Sequence, residues 1–279
     1  MRKSSKTEAA SGVPFSGQRI MVTRPESQAD PLAEQLRALG AEVVLQPAIC
    51  IVDPPDWNPV DQALTRLNTF QWLVFSSANG VRYFFERWQR VESQFGDIGG
   101  KKRSTADFHR QFPTLKLAAI GPGTADELAR CQVHADLIPQ AFQAEALAES
   151  LCREARGHRF LLARASRGRE VLAEQLTAAG ADVEQIVVYS SLDVQTADPV
   201  VAEMLVSGRI DWITVTSSAI ARSLVRLFGE ALHRSKLACI SPLTSNTLRE
   251  LGYEPAAEAT EYTMSGLVSA MAKQIQNPL

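Results

Sequence analysis

Along the chain, short apolar runs rich in β-branched residues alternate with longer stretches whose apolar positions recur every three or four residues. That alternation predicts βα units and hence an α/β fold built on parallel sheets. "RIMVT" from Arg19 and "RFLLA" from Arg159 read as strands. The helices that follow place Leu32, Leu36 and Leu39, or Leu172 and Leu176, on one face, and Gly40 and Gly180 stand where a helix C-cap is expected. Phe84, Phe85 and Trp88 form a stripe at helical spacing that reads as core rather than as a cofactor contact. Two stretches, "LQPAICIVDPPDW" and "QIVVYSSLDVQ", break the alternation and read as extended.

The pattern is written twice. Leu32–Val43, "LAEQLRALGAEV", set over Leu172–Val183, "LAEQLTAAGADV", gives nine identities in twelve positions at a separation of 140 residues. The same separation carries Arg19 onto Arg159, Arg24 onto Arg164, Trp72 onto Trp212 and Ser77 onto Ser217, so that "FQWLVFSSANG" partners "IDWITVTSSAI". Downstream, "KLAAIGPGT" matches "KLACISPLT" at six of nine positions, now 120 residues apart (Lys116 to Lys236). At the separation of 140, Phe84, Phe85 and Trp88 correspond to Leu224, Val225 and Phe228, and at 120, Leu147 and Leu151 correspond to Leu267 and Met271. The shortening assigns about twenty extra residues to the first copy. The polar run Gln89–Gln111 is predicted to be that insertion, as a mobile surface loop. The two extended stretches hold equivalent places, Ile49 matching Tyr189, and if they pair they form a two-stranded ribbon between two lobes.

Composition narrows the partners. A chain of 279 residues with 45% apolar content can fill one large or two medium cores. A net charge of −2 supplies no basic field, so nucleic acid is not an expected partner and an anionic ligand must be met by local groups. Cys50, Cys131, Cys152 and Cys239 lack CxxC spacing, so no zinc site or disulfide frame is indicated, and they read as reduced, buried thiols. Residues 1–16 carry charge without the apolar segment of a signal peptide and read as a disordered tail. No apolar run approaches the ~20 residues of a membrane span, and the cytoplasm is the expected location.

In open parallel sheets, ligands bind outside the carboxyl ends of the strands, where helix N-termini and loop amides converge. The polar motifs fall there: "TRPESQ" from Thr23, "SSANG" from Ser76, "GPGT" from Gly121, "ARASRGR" from Ala163, "TSSA" from Thr216, "SPLTS" from Ser241 and "EYTMSG" from Glu261. Hydroxyls, helix-start amides and a few arginines dominate, a set that recognises carboxylates or phosphates without supplying acid–base pairs. Each has a structural alternative. Serines and threonines at helix starts serve as N-caps, Arg24 and Arg164 can form structural ion pairs, and Tyr189 in "IVVYSS" can be half-buried packing. None of the four histidines is placed as a base or ligand, and neither a GxGxxG after the first strand nor a GxxxxGK[ST] is present.

Through "VTRP", "FSSANGV", "IGPGTADEL", "VVYSS", "VTSSA" and "YTMSGLVSAM", in this order and with the duplication, the chain resembles the uroporphyrinogen-III synthase family over essentially all of Arg19 to Met271. The resemblance implies two α/β lobes, each with a parallel β-sheet flanked by helices, joined by a two-stranded antiparallel linker. The first lobe would be discontinuous, about residues 17–47 plus 192–279, and the second about 51–188, with linker strands near 46–53 and 185–193. It also implies no cofactor and no metal, a monomer, and transient contact with the preceding pathway enzyme. The implied reaction is closure of the linear tetrapyrrole hydroxymethylbilane to uroporphyrinogen III with inversion of ring D.

Carried over by motif, Arg24, Ser76, Ser77, Asn79, Thr216, Ser217, Ser218 and Thr263 would contact the substrate's carboxylates, as would the turns Gly121–Thr124 and Ser241–Thr244. Arg164 joins them as the repeat partner of Arg24, and Tyr189 is implied as the weak acid that assists loss of hydroxide. The second turn, "SPLT", departs from "GPGT" by losing both glycines. Two other readings stay open on the residues alone: a non-catalytic two-lobe binding or sensor module, and an enzyme acting on a nucleotide or sugar phosphate.

Overall fold

The computed structural model describes residues 13–95 and 105–276. In chain order the elements are β1 (Arg19–Val22), α1 (Glu26–Ala38), β2 (Glu42–Leu45), β3 (Ile49–Val52), α2 (Asn58–Leu64), β4 (Trp72–Phe75), α3 (Ala78–Phe95) and α4 (Phe108–Gln111). Next come β5 (Lys116–Ala119), α5 (Pro122–Arg130), α6 (Ala144–Cys152), β6 (Arg159–Ala165), α7 (Val171–Ala178) and β7 (Asp182–Asp193). The chain closes with α8 (Pro199–Val206), β8 (Trp212–Val215), α9 (Ser218–Phe228), β9 (Lys236–Cys239), α10 (Pro242–Glu250), β10 (Ala257–Glu258) and α11 (Met264–Gln276). Contacts divide it into two compact units, Met1–Cys50 with Leu192–Leu279, and Ile51–Ser191. Both boundaries fall inside strands, at β3 and at β7, and these two strands are neighbours in one sheet.

The first unit holds a five-stranded sheet in the order β10-β9-β8-β1-β2, paired in parallel. The second holds β3-β7-β6-β4-β5, with β7, β6, β4 and β5 parallel. Each sheet therefore draws strands from both sequence copies. Chain order reverses between β1 and β8 in the first unit and between β4 and β6 in the second, which makes these pairs the topological switch points where crevices open.

The duplication is visible bond by bond. Gly40 and Gly180 adopt φ of 87° and 91°, a left-handed conformation that glycine takes without a Cβ penalty. Around each, the chain closes its helix in the same way: Gly40 N–H to Arg37 O and Ala41 N–H to Leu36 O, then Gly180 N–H to Thr177 O and Ala181 N–H to Leu176 O. Arg19 pairs with Glu42 and Arg159 with Asp182, both at 2.7 Å. Lys116 lies 5.1 Å from the Trp72 ring and Lys236 5.4 Å from Trp212. One difference is local. β7 is a continuous strand of twelve residues, whereas its counterpart is split into β2 and β3 around Pro47, which has no N–H for a ladder and stands where the second copy has Val187.

In the second unit, alternate residues of each strand feed opposite faces. Leu73 and Phe75 join Phe84, Phe85 and Trp88 on one side, while Trp72 and Val74 join Phe160, Leu162, Leu147 and Leu151 on the other. In the first unit, Ile20, Val22, Leu32 and Leu36 pack with Leu267 and Met271.

Three expectations are corrected. The tail predicted for residues 1–16 ends earlier, because Phe15 is fully buried in the first unit's core and its N–H donates to Leu39 O at 2.9 Å; residues 1–12 lie outside the described residues. The run Gln89–Gln111 is not a loop at either end. Its start continues α3 and its end is α4, where Phe108 is fully buried with its ring centroid 5.0 Å from Phe85 and 5.3 Å from Trp88. Aromatic burial outweighed the polar composition that suggested a loop; residues 96–104 lie outside the described residues. Of the cysteines, only Cys239 is fully buried, while Cys50, Cys131 and Cys152 are partly exposed; all four are free thiols. Among the described residues no helix is long and apolar enough to cross a membrane.

Candidate active site

At the switch point of the second unit, the carboxyl ends of β4 and β6 enclose a pocket of about 260 Å³. Ser76 and Ser77 line it from the end of β4, Arg164, Arg167 and Arg169 from the end of β6 and its turn, and Gln185 and Tyr189 from β7. Tyr189 is nearly buried, at 6% exposure, with its hydroxyl 3.0 Å from Ser77 Oγ and its ring 5.7 Å from that of Tyr83. Burial pushes its phenol above the usual tyrosine range, while hydrogen bonds from Ser77 and Asn79 and the charge of Arg167 act in the opposite direction.

Local structure explains how the tyrosine is aimed. The β6–β7 register shifts between Arg164, opposite Val187, and Ala165, opposite Tyr189. The extra residue on β7 interrupts the strict alternation of faces, and Val188, Tyr189, Ser190 and Ser191 are all buried in succession. Ser77 precedes α3 and accepts from Gly80 N–H at 3.0 Å, so the hydroxyl that meets Tyr189 is already fixed as a helix cap.

The arginines separate by their partners. Arg164 bonds Glu170 and, at 2.6 Å, Gln185. Its repeat partner Arg24, beside the switch point of the first unit, bonds Gln28 O at 3.2 Å, Gln28 Oε1 at 3.0 Å and Met264 Sδ at 3.5 Å. None of these is a carboxylate, and Asp30, which stands where the second copy has Glu170, is exposed. Desolvation lowers the Arg24 guanidinium from its usual range, as expected of a partly buried cation that meets no carboxylate among the described residues.

The remaining candidates are placed as follows. Ser217 caps α9 by accepting from Ile220 N–H at 3.2 Å, Ser241 caps α10 by accepting from Thr244 N–H at 3.4 Å, and Thr263 accepts from Gly266 N–H at 3.0 Å. Ser218 meets Thr247 Oγ1 at 2.8 Å, Thr216 is half-buried, Ser76 is exposed and Asn79 half-buried. Thr124 and Thr244 are buried in the first turns of α5 and α10. Gly121 is covered by Phe142, whose Cβ would lie 3.1 Å from a Cβ built there, whereas Gly123 faces open space and its counterpart Leu243 is half-exposed. The loss of both glycines from the second turn is thus a matter of side-chain room, since neither adopts a left-handed backbone.

Sequence reasoning missed Arg167, Gln185, Ser191 and Tyr83. The signal for the first lay in "ARASRGR", but nothing in that string ranks its three arginines. Among the described residues no group of three or more His, Cys, Asp or Glu is arranged to hold a metal ion.

The family described as Uroporphyrinogen-III synthase HemD matches residues 30–269. A uroporphyrinogen-III synthase of Synechococcus elongatus is 31% identical over 267 residues, covering 92% of this chain and 96% of that protein. One of Chlorobaculum parvum is 25% identical, covering 84% and 89%. Among solved structures, a mutant uroporphyrinogen III synthase of Thermus thermophilus superposes with a TM-score of 0.61 at 16% identity, covering 93% of this chain and 99% of that one. A Helicobacter pylori synthetase gives a TM-score of 0.55 at 15% identity, covering 90% and 97%. These structures share the fold of two helix-flanked sheets.

Proposed function

The chain belongs to the uroporphyrinogen-III synthase family, and from that membership we propose that Tyr189 is its proton donor and that the pocket beside it receives one pyrrole ring of hydroxymethylbilane. The reaction is the family's: cyclisation of hydroxymethylbilane to uroporphyrinogen III with inversion of ring D and loss of water, a step of porphyrin biosynthesis.

Size sets what the pocket can take. At about 260 Å³ it falls below the roughly 300–1,000 Å³ of sites that enclose drug-sized ligands, so it suits one substituted ring and not four. Departure of the ring A hydroxyl leaves an azafulvene, which ring D attacks through its substituted carbon; the spiro product then fragments and recloses. The pyrrole electrons drive these steps, and the protein contributes a positioned proton and a folded substrate. The Tyr189 hydroxyl, held at 3.0 Å by a helix-capping serine at the pocket wall, is the observation that carries the assignment. In the first unit, Arg24 serves a substrate carboxylate, because among the described residues its partly buried guanidinium bonds Gln28 and Met264 and no carboxylate.

Turnover by Tyr189→Phe tests the donor. The ring is kept and the proton lost, so kcat should fall with KM little changed; an unchanged kcat would return Tyr189 to core packing.

A further inference from the structure

The end of β6 and the turn after it carry three guanidinium groups that are oriented differently. Arg164 closes on Glu170 and Gln185, and Arg169 closes on Glu145, so both are engaged with carboxylates of the second unit's own surface. Arg167 reaches β7. Its Nη2 donates to Ser191 Oγ at 3.1 Å, two residues beyond Tyr189, and it lines the same pocket as the phenol. The backbone fixes this turn: Ser166 N–H donates to Tyr189 O at 2.9 Å, and Ser191 N–H to Ser166 Oγ at 3.4 Å. These bonds follow directly on the register shift that aims Tyr189, so one local irregularity places the phenol and the guanidinium on a common wall.

We propose that Arg167 is a positioning residue for Tyr189, a fixed cation that stabilises the phenolate left when the phenol's proton passes to the leaving hydroxyl. The inference rests on the reading of Tyr189 as donor. In the step concerned, the Tyr189 O–H bond breaks and its proton joins the ring A hydroxyl oxygen. The C–O bond breaks with its electron pair leaving as water, and the positive charge remains on the ring A azafulvene. The phenolate regains a proton from the ring D α-carbon, whose C–H proton is lost as that carbon makes the closing bond and the ring rearomatises, so charge and atoms balance.

Between these events a negative oxygen sits in a nearly buried position, where an uncompensated charge is costly. A guanidinium remains protonated throughout the working pH range, so it can compensate without titrating. The other groups facing Tyr189 do not do this. Ser77 and Asn79 at the start of α3 are neutral, and Tyr83 on α3 is itself pushed up by burial and by Asp53 and Glu86. Arg82 lies over the far ring, 5.4 Å from the Tyr83 centroid, and bonds Asn79 at 3.4 Å.

The test compares wild type, Arg167→Gln, which removes the charge but keeps a donor for Ser191, and Arg167→Lys, which keeps the charge. A fluorinated tyrosine placed at position 189 is titrated by fluorine NMR without substrate, and kcat and KM for uroporphyrinogen III formation are measured on the unlabelled proteins. Arg167→Gln should raise the titration midpoint by about one pH unit and lower kcat about tenfold with KM nearly constant, while Arg167→Lys stays close to wild type in both. An unmoved midpoint, or a moved midpoint with kcat intact, overturns the proposal. A raised KM with normal kcat also overturns it and makes Arg167 a substrate contact. A Tyr189→Phe control at the wild-type rate would defeat the donor reading itself, and that result is independent of any Arg167 variant.

Discussion

The Tyr189 hydroxyl lies 3.0 Å from Ser77 Oγ, and that serine also accepts the Gly80 N–H. One side chain therefore ties the middle of β7 to the first turn of α3. Its repeat partner Ser217 makes the same cap to Ile220 N–H, but the position matching Tyr189 is Ile49. The duplication kept the cap in both copies and the phenol in one.

Replacing each serine by alanine should separate these roles. Ser77→Ala and Ser217→Ala should each cost about 1 kcal/mol in denaturant unfolding, the usual value of a lost N-cap. Ser77→Ala should additionally lower kcat, and by less than the roughly 10²-fold or greater fall expected for Tyr189→Phe, since general-acid contributions run about 10²–10⁴. Equal kcat values for Ser77→Ala and Ser217→Ala would remove Ser77 from the site.

Arg24 and Arg164 occupy matching places and should behave oppositely. Arg24→Gln deletes a partly buried guanidinium that meets no carboxylate among the described residues, so stability should hold or rise while KM rises about tenfold or more. Arg164→Gln breaks a pair with Glu170 that is partly exposed, so stability should fall by less than about 1 kcal/mol, with KM near wild type. A KM that rises equally in both would show that Glu170 does not satisfy Arg164.

The glycines of the strand-end turns should differ as sharply. A Cβ at Gly266 would lie 2.0 Å from the Glu261 carbonyl oxygen, a backbone atom that cannot move without opening the turn before α11. Gly266→Ala should therefore destabilise by about 2 kcal/mol or more. Gly123→Ala meets nothing within 4 Å inside the first turn of α5 and should be neutral or stabilising by up to about 1 kcal/mol. Thermal unfolding of the two variants checks this, and a neutral Gly266→Ala would contradict the geometry.

Alkaline stability should report on Cys239. Burial pushes its thiol from 9.0 to about 11, so the unfolded chain loses that proton first. The contribution is complete below about pH 9 and is lost as pH rises through about 11, amounting to about 2–3 kcal/mol for a shift of about two units. Cys239→Ala should flatten the fall in unfolding free energy between about pH 8 and pH 11, measured in urea; parallel curves would refute it.

Much of the fold was legible because duplication repeats local rules. The Gly40 and Gly180 helix ends, the Arg19–Glu42 and Arg159–Asp182 pairs and the Lys–Trp contacts follow from residues that recur at fixed spacing. The insertion was harder to read, since Phe108 is one aromatic in a polar run and its burial against Phe85 and Trp88 is a long-range fact. The site was legible only in part. That Ser77 meets Tyr189 depends on a register shift in β7, and that Arg164 is neutralised while Arg24 is not depends on Glu170 reaching back where Asp30 does not. Neither relation leaves a mark in the local sequence.

The most direct measurement is the isomer ratio of the product. The protein is mixed with freshly generated hydroxymethylbilane, and the uroporphyrinogens formed are separated alongside an enzyme-free control. Type III should predominate with the protein present, because ring D is inverted only when the bilane is held through the spiro step. Type I alone, the product of unassisted closure, would contradict the account.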